Sequence, residues 1–194
     1  MAHLGLTHVI NNQESHLGGN MNMGDPHSFS PSVWNYMIDR FALRSVLDIG
    51  AGQGHAANYF HKLGMQVVAV EGLAENCSRS VFPSVQLDLT KSSIVCSVDL
   101  VNCIEVVEHI EEKYLDNLLD SLCCGKIILM TNAVSGQGGY HHVNEQSTEY
   151  WIKHLISRGC SLAVDDTNRV KQLALKDGAM HIARTGSVFV NNNK

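Results

Sequence analysis

The 194-residue sequence contains no long hydrophobic run, no excess of basic residues and no C-x-x-C motif. No segment approaches the roughly 18 consecutive apolar residues of a transmembrane helix, so no membrane partner is expected. The first ten residues, MAHLGLTHVI, lack the basic stretch and hydrophobic core of a signal peptide. Lys and Arg number 14 against 19 Asp and Glu, which gives a net charge of −5. We therefore expect no overall attraction to nucleic acid or to an anionic membrane.

The cysteines show no pairing motif, and several lie inside apolar runs. A cysteine in such a run behaves as a small hydrophobic side chain, so we interpret all of them as reduced core residues. This use of cysteine is typical of a cytoplasmic protein. The six positions are Cys77, Cys96, Cys103, Cys123, Cys124 and Cys160.

The first 29 residues differ in composition from the remainder. They are polar, rich in Gly, Asn, His and Met, and have no sustained periodicity, so we expect an irregular arm or lid over 1–29. Ser30 and Pro31 then predict the start of a helix, because a hydroxyl cap precedes proline at the first helical position. Residues 30–194 show no internal repeat and no linker, and they are numerous enough to bury a core as one domain.

Strands and helices alternate from residue 45 onward. Short β-branched runs predict strands at 45–49, 66–70, 85–87, 98–103 and 126–131. Helical periodicity predicts helices at 54–63, 73–80 and 108–123, then a helix capped by Ser147 and another near 167–176. Two final strands are predicted at 180–183 and 187–190, joined by a hairpin turn at Thr185-Gly186.

The strands are continuously apolar rather than alternating, which indicates that both faces of the sheet are covered. The sequence therefore predicts a single doubly wound, Rossmann-like α/β domain. We expect a mostly parallel seven-stranded sheet, a C-terminal antiparallel hairpin and helices on both faces.

A glycine-rich turn, GAGQG at 50–54, lies between the first predicted strand and the helix after it. Glycine allows a tight turn there and lets backbone N–H groups approach a ligand near a helix N-terminus. The next strand ends in Glu71, where an acid commonly accepts hydrogen bonds from ribose hydroxyls. Asp48 before the turn and Asp88 after the third strand strengthen the pattern, which predicts a nucleotide-type cofactor.

The segments DIGAGQG, AVEG, QLDL and CIEVVEHI, in this order, resemble the sequential motifs of class I S-adenosylmethionine-dependent methyltransferases over roughly residues 31–190. The resemblance implies that the backbone at Gly50 and Gly52 approaches the methionine part of the cofactor, that Glu71 binds its ribose, and that Asp88 lies beside its adenine. The whole implied set is Asp48, Gly50, Ala51, Gly52, Gly54, Glu71, Gly72, Asp88, Leu89, Asn102, Cys103 and Ile104, of which the last three line the methionyl end.

Methyl transfer to a hydroxyl also requires a group that accepts the proton, and we expect such groups after the fourth and fifth strands. After the fourth come Glu105, Glu108 and His109. A helical turn beginning near Glu105 would place all three on one face, a set that suits a divalent cation such as Mg²⁺ or Mn²⁺. Without a metal, such a segment caps or orients the helix. After the fifth strand come His141 and His142. We expect one of them to face the site; the alternative is that both are surface residues of the loop.

The E-V-V-E-H segment followed by a later loop histidine is similar to the small-RNA 3′-terminal 2′-O-methyltransferases. That resemblance implies Glu105, Glu108, His109 and His142 as cation ligands, with His142 or His141 as the catalytic residue. The ubiquinone-pathway O-methyltransferases carry a similar segment and act on a catechol.

The sequence shows no added RNA-binding domain, and its negative charge disfavours long polyanions. We therefore predict a cytoplasmic O-methyltransferase acting on a small hydroxylated molecule, sugar-like or catechol-like. RNA 2′-O-methylation and a non-catalytic binding protein with the cofactor fold stay open as alternatives.

Overall fold

The computed structural model describes residues 8–10, 15–17, 19–21 and 24–194, with side chains for 15–17 and from residue 24 onward. Two short strands, β1 (His8–Ile10) and β2 (Gly19–Met21), pair antiparallel on either side of a 3₁₀ turn at Ser15–Leu17. The arm predicted as irregular therefore contains paired strands. The remainder of that prediction, in 1–7, 11–14, 18 and 22–23, lies outside the described residues.

A seven-stranded sheet forms the centre of the domain. Its strands are β3 (Ser45–Ile49), β4 (Gln66–Glu71), β5 (Ser84–Gln86), β6 (Val98–Cys103), β7 (Gly125–Met130), β8 (Cys160–Leu162) and β9 (Ser187–Asn191). They lie in the order β5-β4-β3-β6-β7-β9-β8. The first five run parallel to one another, and β9 is antiparallel to both β7 and β8.

Helices cover both faces of this sheet. They are α1 (Pro31–Phe41), α2 (His55–Lys62), α3 (Ala74–Arg79), α4 (Leu115–Leu122), α5 (Thr148–Ser157), α6 (Val164–Asp177) and α7 (Met180–Thr185). The Ser147 cap forms as predicted, since its side chain accepts a hydrogen bond from the backbone N–H of Tyr150. No helix within the described ranges combines the length and apolarity needed to cross a membrane.

Side chains from the two faces of the sheet enter two separate hydrophobic clusters. Along β6, Val101 packs into the cluster with α4 and α5, whereas Leu100 packs into the cluster with α1 and α6. Successive residues of a strand point to opposite faces, so a strand covered on both sides is apolar throughout. The predicted fold class, a Rossmann-like α/β domain with a mostly parallel seven-stranded sheet, is confirmed.

The C-terminal end differs from the prediction in its details. Residues 180–183, predicted as a strand, lie in α7, and Thr185-Gly186 ends that helix instead of forming a hairpin turn. The antiparallel neighbour of β9 at the sheet edge is β8. Ile182 is fully buried in the cluster with α1 and α6. A segment this short can bury its apolar residue as a helical turn or as a strand, so the sequence pattern does not distinguish the two.

The segment after β6 also departs from the predicted helix at 108–123. It forms 3₁₀ turns at Val107–His109 and Glu112–Tyr114, and α4 begins only at Leu115. The cause is visible at Glu108, whose backbone carbonyl accepts the N–H groups of Val143 and Asn144 at 3.0 Å each. A carbonyl engaged by a distant loop is withdrawn from the i→i+4 ladder of a helix.

Candidate active site

A cavity of about 450 Å³ lies at the carboxyl edge of the parallel strands. Its wall comes from the loops after β3, β4, β5, β6 and β7, together with the segments 15–17 and 24–29 and the side chain of His181 on α7. The chain leaves β3 toward β4 and β5 and returns to β6 on the other side. The cavity thus lies at the topological switch point, where open α/β sheets bind their ligands.

The glycine turn at 50–54 forms one wall. Gly50 and Gly52 have φ of +67° and +54°, in the left-handed region where a side chain is strained. A Cβ on Gly50 would overlap the side chain of Val106. The turn leads directly into α2 at His55. Bare backbone therefore faces the cavity, as a closely approaching ligand requires.

Asp48, before this turn, is a buried carboxylate with an incomplete set of partners. It is 2% exposed, and its Oδ1 accepts a hydrogen bond from Asn102 Nδ2 at 2.7 Å. Asn102 in turn accepts one from Trp34 Nε1 at 3.2 Å. Among the described residues, no hydrogen-bond partner meets Asp48 Oδ2. Burial raises the pKa of Asp48 to about 7, although hydrogen bonds from the Asn102 side chain and the backbone of Ala57 oppose the shift.

Glu71 holds the glycine turn against the end of β4. Its two oxygens accept the backbone N–H groups of Gly52 at 2.7 Å and Leu73 at 2.8 Å. Burial nevertheless raises the pKa of Glu71. The side chain of Asn76 and the backbone of Gly72 also donate to Glu71, so this carboxylate fixes the shape of the turn through four hydrogen bonds.

The segment 15–17 lies at the end of the cavity beside Asp88. His16 Nε2 and Lys91 Nζ lie 3.0 and 3.1 Å from Asp88 Oδ2. Burial alone would raise the pKa of Asp88, but hydrogen bonds from these and neighbouring groups hold it well below its ordinary range. Leu17 lies directly over Gly72, where an added Cβ would come within 2.7 Å of it. An apolar side chain and a fixed carboxylate together suit a flat, polar-edged base.

All of the residues that the resemblance implied for the cofactor line the cavity except Gly54 and Cys103. Gly54 has φ of +75°, and a Cβ there would overlap Ser80, so its role is to let α2 begin against that residue. Cys103 is fully buried among core side chains. All six cysteines are free thiols. Cys103, Cys124 and Cys160 are buried, as expected of core residues, whereas Cys77, Cys96 and Cys123 are only half-buried. The reducing compartment stays a prediction.

The residues after β6 do not form the expected helical turn from Glu105. Glu105 has φ of +57°, and the 3₁₀ turn begins at Val107. Glu108 is 0% exposed, and neither of its carboxylate oxygens has a hydrogen-bond partner in the described part of the chain. Burial first, and then the nearby Glu105 and Glu145 carboxylates, raise the pKa of Glu108 to about 8.

Glu108, His109 and His142 each offer one ligand atom, and these atoms all lie within 4.8 Å of one another. We call these three residues the cation cluster. His109 Nδ1 lies 3.2 Å from the carbonyl oxygen of His141, and His142 Nδ1 lies 3.1 Å from Glu145 Oε1. Since these oxygens accept hydrogen bonds, each Nδ1 donates, which is the arrangement that leaves the Nε2 of a neutral ring available to a metal.

The loop after β7 fixes the orientation of His142. Glu145, which bonds to His142, also accepts the backbone N–H groups of Gly136 at 2.8 Å and Gly138 at 2.7 Å. The His142 ring rests on Gly139, where an added Cβ would overlap it. Of the two neighbouring histidines, His142 lines the cavity and His141 is not part of the wall formed by described residues.

Burial and the adjacent His142 ring lower the pKa of His109 to about 4. His109 is therefore a neutral imidazole near neutral pH, the form that binds metals. The neutral His109 ring and the buried carboxyl group of Glu108, which a cation would deprotonate on binding, are donors that a divalent cation such as Mn²⁺ accepts. The residues present thus fit a divalent cation.

Glu105 stands beside the cation cluster but is bonded elsewhere. Thr131 Oγ1 donates to its Oε1 at 2.8 Å, and His181 Nδ1 lies 3.1 Å from its Oε2. The other ring nitrogen of His181 lies 3.1 Å from Asp25 Oδ2. Burial would lower the pKa of His181, but the two carboxylates outweigh that effect and raise it.

Asp25, Glu145 and His181 were not predicted from the sequence. Glu145 follows His142 at i+3, a local spacing that could have suggested the pair. Asp25 and His181 come from opposite ends of the chain, and 180–183 was predicted as a strand, so no local signal places them together.

Three comparisons with known proteins bear on this site. Residues 47–127 match the model of a family described as a methyltransferase domain. The matched segment runs from β3 into β7 and contains the glycine turn, Glu71, Asp88 and the E-V-V-E-H segment. No curated protein matches the chain.

Solved structures share its fold at low identity. A TehB-like SAM-dependent methyltransferase from Corynebacterium glutamicum is 17% identical, with a TM-score of 0.60 over 83% of this chain and 87% of that one. The methyltransferase domain of bacterial CtHen1-C is 16% identical, with a TM-score of 0.56 over 79% and 92%. Magnesium protoporphyrin IX methyltransferase from Synechocystis with bound SAH is 15% identical, with a TM-score of 0.56 over 68% and 71%.

Proposed function

We propose that this chain, which carries a class I S-adenosylmethionine-dependent methyltransferase domain, methylates a hydroxyl of a small hydroxylated molecule with the assistance of a divalent cation. The observation that carries the proposal is the cation cluster, of which His109 and His142 line the cavity while Glu108 is fully buried. A cation held by such a cluster can bind two adjacent oxygens, which a sugar-like or catechol-like acceptor provides.

The cofactor half of the proposal rests on backbone and carboxylates. In this proposal the methionine end of S-adenosylmethionine binds to the N–H groups of the glycine turn and to Asp48 Oδ2, which has no described partner. Glu71 binds the ribose, and Asp88 and Leu89 bind the adenine. The sulfonium supplies its own reactivity, so the chain needs chiefly to align donor and acceptor. Asn102 and Ile104 also line the cavity, and in this proposal they contact the methionyl end of the cofactor.

The acceptor half rests on Glu108, His109 and His142. A divalent cation held by them would lower the pKa of a bound hydroxyl. The chain prepares this site in two ways. Hydrogen bonds from both rings to protein oxygens favour the metal-binding tautomer, and Glu108 is fully buried with no donor among the described residues. His142, which also lines the cavity, is the catalytic residue in this proposal.

The charge of the cavity wall favours an acceptor without phosphate. The wall formed by the described residues contains no Lys or Arg, but it contains the carboxylates of Asp25, Asp48, Glu71, Asp88 and Glu105. A phosphate group needs cationic or N–H donors, and a long polyanion needs several Lys or Arg contacts. An uncharged polyol or catechol avoids this repulsion, so it precedes a terminal RNA ribose as our proposed substrate.

The test measures S-adenosylhomocysteine formation with S-adenosylmethionine and a panel of acceptors. The panel holds catechol, a neutral sugar, the phosphate ester of that sugar, and an RNA oligonucleotide with either a 2′-hydroxyl or a 2′-deoxy end. We expect turnover on an uncharged acceptor, loss of turnover with EDTA, and recovery with Mn²⁺ or Mg²⁺. Glu108→Gln and His142→Ala should each reduce turnover by about 100-fold or more.

His154→Ala is the matched control, because His154 lies on α5 against Tyr150, outside the described cavity wall, and it should retain full turnover. Turnover confined to RNA with a terminal 2′-hydroxyl would replace the small acceptor by the RNA alternative. Cofactor binding without turnover on any acceptor would favour the non-catalytic alternative. Activity unchanged by EDTA in metal-free protein would remove the cation from the proposal.

A further inference from the structure

Glu105 is a strained residue that two side chains, those of Thr131 and His181, fix in place. Its φ of +57° lies in the left-handed region, where a non-glycine residue is strained and stays only because its surroundings hold it there. Its backbone N–H donates to Thr131 Oγ1 at 2.8 Å, and the same hydroxyl lies 2.8 Å from Oε1. His181 holds Oε2. Both oxygens of Glu105 are thus engaged, whereas neither oxygen of Glu108 has a described partner.

His181 links two carboxylates that come from distant parts of the chain. Its Nδ1 faces Glu105 and its Nε2 faces Asp25, at 3.1 Å each. Carboxylates of this kind accept, so both ring nitrogens donate and the ring is an imidazolium. The three groups therefore carry one net negative charge instead of two. Glu105 is also close enough to Glu108 for the two carboxyl groups to interact.

Asp25 is itself anchored, which gives His181 a fixed position. Its Oδ1 accepts the backbone N–H of His27 at 2.9 Å, and its Oδ2 accepts the hydroxyl of Ser28 at 2.9 Å. The backbone N–H of His181 donates to the carbonyl of His27 at 3.2 Å. The loop before α1 and the start of α7 are thus connected twice, through the backbone and the ring of His181.

We infer that His181 is a positioning residue that holds Glu105 beside, but outside, the cation cluster, so that Glu108, His109 and His142 are the protein's own ligands. This inference rests on the cation part of the proposed function. A six-coordinate cation with three protein ligands keeps three positions for other oxygens. Were Glu105 released, its carboxylate would compete for one of them.

The test is the Mn²⁺ affinity of the full chain, measured by calorimetry without cofactor or acceptor. His181→Leu removes the positive charge and the bond that restrains Glu105, so it should bind Mn²⁺ about tenfold more tightly than the wild type. His181→Leu combined with Glu105→Gln should return to within about threefold of the wild type. His181→Gln is measured in parallel in case the Leu variant does not fold.

His27→Leu is the matched control, since His27 contacts His181 edge-on at 5.9 Å between ring centroids, and it should leave the Mn²⁺ affinity unchanged. A purely structural role for His181 predicts no tightening in either His181 variant. A weakening of about 10- to 100-fold would mean instead that His181 supports Glu105 as a metal ligand. Either result overturns the inference.

A readout without metal separates this inference from the proposed function. In metal-free protein, nitrogen-15 NMR should show protons on both ring nitrogens of His181, and Glu105→Gln should weaken or remove the Nδ1 proton signal. Absence of Mn²⁺ binding in the wild type together with these NMR signals would refute the cation proposal but leave the positioning of Glu105 standing. A singly protonated His181 ring would refute the positioning itself.

Discussion

Asp48→Asn is expected to stabilise the cofactor-free protein and to weaken its binding of S-adenosylmethionine. Asp48 is a buried carboxylate at 2% exposure, and its Oδ2 has no hydrogen-bond partner among the described residues. An asparagine has the same shape and can still accept the hydrogen bond from Asn102. The substitution therefore removes the cost of a buried charge with little change in packing.

The magnitude follows from the pKa of Asp48. Burial raises it from an ordinary 3.8 to about 7 in the folded protein. Because the folded-state value is the higher one, the carboxyl's contribution to stability is fully present below pH 4 and is lost as the pH rises through 7. At about 1.4 kcal/mol per pKa unit, the loss reaches an upper limit of about 4 kcal/mol. Asp48→Asn should therefore exceed the wild type in stability above pH 7, by a few kcal/mol at most.

The assay is urea unfolding of both proteins from pH 4 to pH 8.5, with calorimetric titration of S-adenosylmethionine at pH 8. We expect the free energy of unfolding to fall more steeply with pH in the wild type than in Asp48→Asn, and the variant to bind the cofactor at least about tenfold more weakly. As a control, Asp99→Asn should destabilise the protein near neutral pH, because Lys126 chiefly lowers the pKa of Asp99. An Asp48→Asn variant that is less stable at pH 8, or equally pH-dependent, would refute the reasoning.

Two glycine substitutions test the two ends of the cavity. Gly50→Ala should abolish measurable cofactor binding in calorimetry, because φ is +67° and the new methyl group overlaps Val106. Gly64→Ala, with φ of +82° and nothing described within 4 Å, carries the same backbone cost of about 1 kcal/mol and should bind the cofactor normally. Gly139→Ala should displace the ring of His142 and lower both Mn²⁺ affinity and turnover while the melting temperature changes little. Equal cofactor affinity in the Gly50 and Gly64 variants, or full turnover in Gly139→Ala, would contradict these assignments.

Most of the fold could be predicted because its signals are local. Each parallel strand is an apolar run bounded by turn residues, and the left-handed backbone of the turn at 50–54 limits several of its positions to glycine. The strand at Cys160–Leu162 and the helix at Met180–Thr185 are too short for periodicity to identify. A stretch of three to six residues fits either period, and here tertiary contacts decide which element forms.

The candidate site could be predicted in composition but not in arrangement. Glu108, His109 and His142 converge because the carboxyl ends of β6 and β7 are adjacent. The divergence of Glu105 depends on one backbone angle and on His181, which a separate helix supplies. The prediction that Glu105, Glu108 and His109 share one face requires a regular helix through them. The left-handed φ of Glu105 breaks that helix, so Glu105 does not join the other two.

The unpartnered polar groups of the protein concentrate where ligands are proposed to bind. Several buried side-chain atoms have no hydrogen-bond partner among the described residues. Asp48 and His55 line the cavity, Glu108 belongs to the cation cluster, and His141 lies in the loop after β7. Trp151 is the exception. Buried polar groups are ordinarily satisfied, so each of these lowers the stability of the free protein. S-adenosylmethionine at Asp48 and a cation at Glu108 would each supply the missing partner. Both ligands should therefore raise the melting temperature, and at a fixed ligand concentration the gain from each should shrink when its own carboxylate is replaced by the amide.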